Sequence, residues 1–115
     1  MIKGLHAIFY TPHAEEVRAF IRDKLQFPNT DIGGGWLIFD MPSADLASHP
    51  SDKTYHELSF YCDDIHATVA ELQGRGVEFT SGIAEQDWGW LTTFRMTADI
   101  EVQLYQPKYA KGATG

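Results

Sequence analysis

The chain has 115 residues, 43% of them hydrophobic and 22% charged, the balance of one ordinary globular domain rather than of a disordered segment. A net charge of -7 with no basic stripe argues against nucleic acid as a partner, because displacing phosphate counterions takes clustered Lys and Arg. No apolar run approaches the ~20 residues that cross a bilayer, and no signal-peptide core opens the chain, so a soluble cytoplasmic protein with no membrane partner is expected.

Residues 3–11 alternate, with Ala7, Phe9 and Thr11 on one side and His6, Ile8 and Tyr10 on the other, which predicts a strand ended by Pro12. Ala14, Val17, Ile21 and Leu25 then recur at helical spacing, against Glu15, Glu16, Arg18, Arg22, Asp23 and Lys24, giving an amphipathic helix of about three turns. Gln26-Phe27-Pro28 opens a short second strand. Gly33-Gly34-Gly35 is a turn in which positive φ costs little, Trp36 to Met41 is a third strand, and a fourth is expected near Leu46 to His49. Pro50-Ser51-Asp52-Lys53 is a short, turn-rich link.

Beyond the link, Glu57, Ser59 and Tyr61 alternate with Leu58, Phe60 and Cys62. Asp63-Asp64 caps a helix carrying Ile65, Val69 and Leu72, and Gly74 and Gly76 stop it. Strands are expected at Val77 to Ser81, around Trp90 to Met96, and at Ile100 to Tyr105. The lone Cys62 reads as a small buried hydrophobe, and the tail from Lys108 to Gly115 is expected to fray.

The chain thus nearly repeats itself. His6 to Phe27 and Glu57 to Phe79 share one plan, and both halves then carry Gly-Trp-Leu, at Gly35-Trp36-Leu37 and Gly89-Trp90-Leu91, a spacing of 54. The same spacing relates Ser43-Ala44-Asp45-Leu46 to Thr97-Ala98-Asp99-Ile100. A duplicated unit generates a pseudo-twofold axis, and such an axis brings equivalent side chains to one cavity.

Two such βαβββ units, with Gly4-Leu5-His6, Arg18-Ala19-Phe20 and Phe27, Asp63-Asp64-Ile65, Gly74 to Phe79 and Leu104-Tyr105-Gln106-Pro107, resemble the vicinal oxygen chelate superfamily. Glyoxalase I, bleomycin-resistance proteins, fosfomycin-resistance enzymes and extradiol dioxygenases share that fold. The resemblance covers roughly residues 3–107. It implies an α+β fold in which two βαβββ modules form a curled mixed β-sheet cup with one helix per module. Module 1 would run over about 1–52 and module 2 over about 53–107, in one domain of residues 1–107 followed by a flexible tail, 108–115.

In that family a divalent metal sits on ligands from the first and last strand of each module, usually His or Gln in the first strands and Glu in the last. Carried onto this chain, His6 takes the first position, and Glu57, which lies 22 residues before Phe79, takes its counterpart in place of His56. Gln103-Leu104 stands where the family has Glu-Leu, with Glu101 on the same strand face about 7 Å away. His49 pairs with Gln103 across the repeat and Asp45 with Asp99, so either is open as the first module's second ligand. The resemblance therefore implies His6, His49, Glu57 and Glu101 as ligands of Zn²⁺, Ni²⁺, Mn²⁺ or Fe²⁺, with Glu57 or Glu101 as catalytic base. The plainer alternative makes His6 a hydrogen-bonded strand residue, puts His49 on a solvated turn and pairs Glu57 with an Arg.

Tyr10, Trp36, Trp90, Gln103 and Tyr105 are the candidate ligand contacts, with core packing or a subunit contact as the alternative for the aromatic ones. Two functions follow. One is a divalent-metal-dependent lyase or isomerase acting on a small oxygen-chelating metabolite; the other is a metal-free protein that sequesters a planar or cationic, antibiotic-type molecule. Resemblance to chains of this size implies a homodimer.

Overall fold

The helical spacing that begins at Ala14 gives α1, Ala14–Phe20, in the computed structural model, which describes residues 6–41, 43–44, 47 and 50–108. The chain divides into two compact units, Met1–Tyr55 and His56–Gly115.

In the first unit α1 continues as a π-helical stretch over Ile21–Leu25, closed by the Gln26 N–H donating to the Ile21 carbonyl at 2.8 Å. Val17 and Ile21 are buried, and Ala14 and Leu25 are half-buried, as the apolar spacing requires. Gln26 adopts φ 61, and this left-handed residue ends the helix. The next strand, β1, is Asn29–Asp31, a few residues later than Gln26-Phe27-Pro28. Its antiparallel partner β2 is Leu37–Phe39, shorter than the predicted Trp36 to Met41. The connecting glycines carry φ of 129, 62 and 83 at Gly33, Gly34 and Gly35, a backbone that a Cβ would strain. The Asp31 carboxylate accepts from the Gly33 N–H at 2.8 Å and holds the turn.

The predicted first strand is corrected over its described part. Residues 6–11 form no strand, and no described strand pairs with them. Alternation alone does not make a strand, since the backbone N–H and C=O groups need a ladder partner. Leu46, Ser48 and His49, most of the expected fourth strand, lie outside the described residues.

The second unit follows its predicted order more closely. It comprises β3 (Ser59–Tyr61), α2 (Ile65–Gly74), β4 (Glu78–Phe79), β5 (Ala84–Gln86), β6 (Gly89–Thr97) and β7 (Ile100–Pro107). Asp64 caps α2 by accepting from the Ala67 N–H at 3.1 Å, and Gly76 at φ 86 turns the chain out of it. The sheet runs β3-β7-β6-β4, and β5 also pairs with β6. β4 and β5 thus make one interrupted edge strand. Only β3 and β7 are parallel, as the intervening helix requires, so this sheet is mixed. The core gathers Ile65, Leu72, Val77, Phe94, Met96, Val102 and Leu104. Phe94, fully buried, stacks on Phe60 at 6.4 Å and meets Phe79 edge-on at 5.7 Å. The chain is thus α+β, with an antiparallel hairpin in one unit and a mixed, open sheet in the other.

Candidate functional site

The alternation of β7 sorts its side chains between two faces. Val102 and Leu104 are buried, and the Gln106 carboxamide accepts from the Ile65 N–H at 2.9 Å, so even-numbered residues face α2. Glu101, Gln103 and Tyr105 therefore occupy the other face. The ladders carry that face across the sheet: Ser59 and Tyr61 sit beside Gln103 and Tyr105 on β3, and Leu91, Thr93 and Arg95 sit beside Tyr105, Gln103 and Glu101 on β6.

One end of this face is aromatic. Tyr61 and Tyr105 lie with ring centroids 6.3 Å apart, and Trp88 meets Tyr105 edge-on at 5.6 Å. Trp88 sits in the tight turn between β5 and β6 and keeps 46% of its surface exposed, although its own turn is braced by the Lys108 N–H donating to the Trp88 carbonyl. The middle of the face is polar and uncharged. Ser59 Oγ donates to Gln103 Oε1 at 2.8 Å, while Thr80, Ser81 and Thr93 share a hydroxyl cluster, with Thr93 2.7 Å from Thr80 and 3.0 Å from Ser81.

The far end is an ion-pair triad. Arg95 Nε donates to Glu78 at 2.8 Å, its Nη2 to Glu101 at 3.2 Å, and its Nη1 to the Ala98 carbonyl at 3.2 Å. These groups are well exposed, so each pair is worth at most about 1 kcal/mol, but together they fix the guanidinium beside Glu101. A cation at Glu101 would have to share its carboxylate with a positive charge that is already hydrogen-bonded there. Nor do the neighbours help: Gln103 and Ser59 offer neutral oxygens, with the Ser59 hydroxyl donating a hydrogen bond to Gln103 Oε1. Among the described residues no group of three or more His, Cys, Asp and Glu side chains could hold a metal ion. The donor set of the second unit does not fit a divalent metal.

The remaining predicted positions fall elsewhere. Glu57 is exposed and precedes β3, whose first residue is Ser59. His6 and Tyr10, both exposed, belong to the strandless segment of the first unit, and His49 and Asp45 lie outside the described residues. Trp36 is 58% exposed, with the Arg18 guanidinium 5.2 Å above its ring. Trp90 stands opposite Gln106 and so lies on the helix-bearing face, with Lys108 Nζ 4.8 Å from its ring and tied to Glu85. Of the ligand candidates, Gln103 and Tyr105 share one face. Ser59 and Tyr61 join them by register, and their alternation in sequence already pointed that way. Trp88 joins through a turn, which no strand periodicity could have assigned to a face.

A concavity of about 530 Å³ lies in the first unit, at the start of α1 between Pro12, His13, Ala14, Glu15, Glu16 and Arg18. It is wide open and has no aromatic wall. Burial pushes the Cys62 thiol up, and its Sγ lies 3.7 Å from the Tyr105 carbonyl, so it serves as a neutral packing group rather than a nucleophile.

No protein-family profile and no curated protein sequence matches the chain. Solved structures do. An antibiotic binding protein, TnmS3, from a Streptomyces species is 23% identical with a TM-score of 0.63, over 90% of this chain and 100% of its own. A glyoxalase/bleomycin resistance protein/dioxygenase from Nocardioides is 20% identical with a TM-score of 0.57, over 91% and 84%. The fosfomycin resistance protein FosX from Listeria monocytogenes is 17% identical with a TM-score of 0.55, over 97% of each chain. At these identities the likeness is one of fold, and it spans both halves of the sequence: the chain shares the fold of these antibiotic-binding, glyoxalase/bleomycin-resistance/dioxygenase and fosfomycin-resistance proteins.

Proposed function

We propose that this protein binds a planar small molecule on the aromatic end of the second unit's sheet, and that it works by sequestration rather than by metal chemistry. The observation that carries this reading is the row formed by Tyr61, Tyr105 and Trp88 at 6.3 and 5.6 Å, ending in a half-exposed indole. Aromatic side chains give large contact area at low conformational cost, and a rigid sheet beneath them lowers the entropy lost on binding. The resemblance to an antibiotic binding protein supports the same reading. A divalent-metal lyase or isomerase using Glu57 and Glu101 is the weaker reading, because Arg95 already engages Glu101.

Tryptophan fluorescence tests it. Titration with a panel of planar tricyclic aromatics should give saturable quenching, which Trp88→Phe should largely remove and Trp90→Phe should leave in place. Trp88→Ala should weaken binding roughly tenfold, in line with the ~1–3 kcal/mol that a flat ring gains by stacking. Quenching that survives Trp88→Phe at its original size would sink the assignment.

A further inference from the structure

The polar pair beside the aromatic row has a direction. Ser59 Oγ–H is committed to Gln103 Oε1 at 2.8 Å, which turns the other end of that carboxamide, Nε2 with its two N–H donors, away from Ser59. The nearest cross-strand hydroxyl does not take it up: Thr93, opposite Gln103, is engaged with Thr80 and Ser81. Among the described residues Nε2 has no hydrogen-bond partner, and no buried side-chain nitrogen or oxygen lacks one, so Nε2 is reached by solvent. Gln103 lies two residues from Tyr105 on one strand, as Ser59 does from Tyr61, which sets the polar pair and the tyrosine pair about 7 Å apart along the strands. That distance is spanned by a fused two- or three-ring molecule lying on Tyr105.

We infer that Gln103 determines ligand specificity here, donating from Nε2 to a carbonyl-type oxygen on the edge of the planar molecule, with Ser59 as the residue that positions the carboxamide. The inference rests on the binding function proposed above and narrows its ligand to flat molecules bearing an oxygen acceptor. A site built around a fixed donor discriminates against a ligand lacking the acceptor, because the donor must then give up water without a replacement.

The test is equilibrium dialysis of the full chain against 9-fluorenone and fluorene, which share a planar tricycle and differ in one carbonyl oxygen. 9-Fluorenone should bind roughly tenfold more tightly, the yield of one good hydrogen bond. Gln103→Leu should bring that ratio close to one, by weakening 9-fluorenone and by relieving fluorene of the donor's lost water, with an unchanged urea-unfolding midpoint reporting that the variant is folded. Gln103→Glu should lower the ratio below that of Gln103→Leu, and Ser59→Ala should reduce it part of the way. Equal affinity for the two compounds in the unaltered protein, with both weakened by Trp88→Ala, would overturn the role of Gln103 and leave the aromatic site standing. If neither compound saturates the protein, the aromatic site fails and the inference fails with it.

Discussion

The two copies of Gly-Trp-Leu, identical in sequence, live in different physics. Gly35 stands at φ 83 with open space where a Cβ would go, and Trp36 after it is 58% exposed under Arg18. Gly89 has no such φ, but a Cβ there would collide with the Gln106 carbonyl oxygen, and Trp90 is half-buried beside Lys108. The first glycine is needed for its backbone angle and the second for its lack of bulk. The strands that follow explain the contrast. β2 is three residues long and pairs with β1, whereas β6 is nine residues long and is flanked by β7 on one side and β4 and β5 on the other. Counting on from each tripeptide, Phe94 occupies the position that Asp40 holds in the first unit. One half therefore has an aromatic anchor at its centre where the other has an exposed carboxylate.

The sharpest way to break this comparison is through those anchors. Phe94→Ala should cost about 3–5 kcal/mol in urea unfolding, and Phe39→Ala on the half-buried β2 should cost less than half as much. Equal losses would mean that the first unit holds a core as tight as the second. Next come the glycines. Gly89→Ala should cost about 2–3 kcal/mol because backbone must move to clear the Gln106 carbonyl, while Gly35→Ala should cost about 1–2 kcal/mol, the penalty of a left-handed residue with a Cβ. A Gly35→Asn variant should recover part of the second loss, since Asn tolerates positive φ; no residue should recover the first.

Sequence patterning was most legible where local signals agreed with tertiary ones. The α2 cap at Asp64, its stop at Gly76 and the in-out alternation of β7 could be read directly, because each is set within a few residues. The glycine turn of the first unit was equally local. Residues 6–11 show the limit: their alternation is real, with Phe9 and Thr11 half-buried and Ile8 and Tyr10 exposed, yet a strand also needs a partner that no local pattern supplies. β5 was missed because Ala84, Glu85 and Gln86 are all exposed and have no alternation to read. The face shared by Ser59, Tyr61, Gln103 and Tyr105 was legible strand by strand, but its register was not. The engagement of Glu101 by Arg95 depends on that register, six residues apart in sequence and directly opposite in the ladder.

Smaller effects separate the helix starts. Asp64 accepts from the Ala67 N–H, while His13 at the head of α1 makes no side-chain cap. Asp64→Ala should therefore cost about 1 kcal/mol, and His13→Ala close to nothing. A measurable loss at His13 would show a contact that the capping geometry does not include.

The finest contrast is in how the two units respond to pH. In the first, the Arg22 side chain, hydrogen-bonded to Asp23 at 2.7 Å, holds that carboxyl below its ordinary value. A depressed carboxyl stabilises the fold above the unfolded-state value and loses that contribution as pH falls through the folded one. Both partners stand in solvent, so the shift should be visible in an NMR titration of Asp23, shrink in Arg22→Gln, where Lys24 alone still favours the carboxylate, and scarcely move the unfolding midpoint. In the second unit burial raises the Cys62 thiol, with Asp63 and Asp64 adding to the effect and a Thr68 hydrogen bond opposing it. Here the neutral form is favoured by folding, so the contribution is complete below the ordinary thiol value and is lost as pH rises toward the folded one. Iodoacetamide should accordingly alkylate Cys62 at pH 8 several-fold more slowly than it alkylates free cysteine, and the gap should close once the chain is unfolded in urea. Because Cys62 is the chain's single cysteine, the reaction reports on the second unit alone. Alkylation at the free-thiol rate would place Cys62 in water and remove the thiol from the packing under Tyr105.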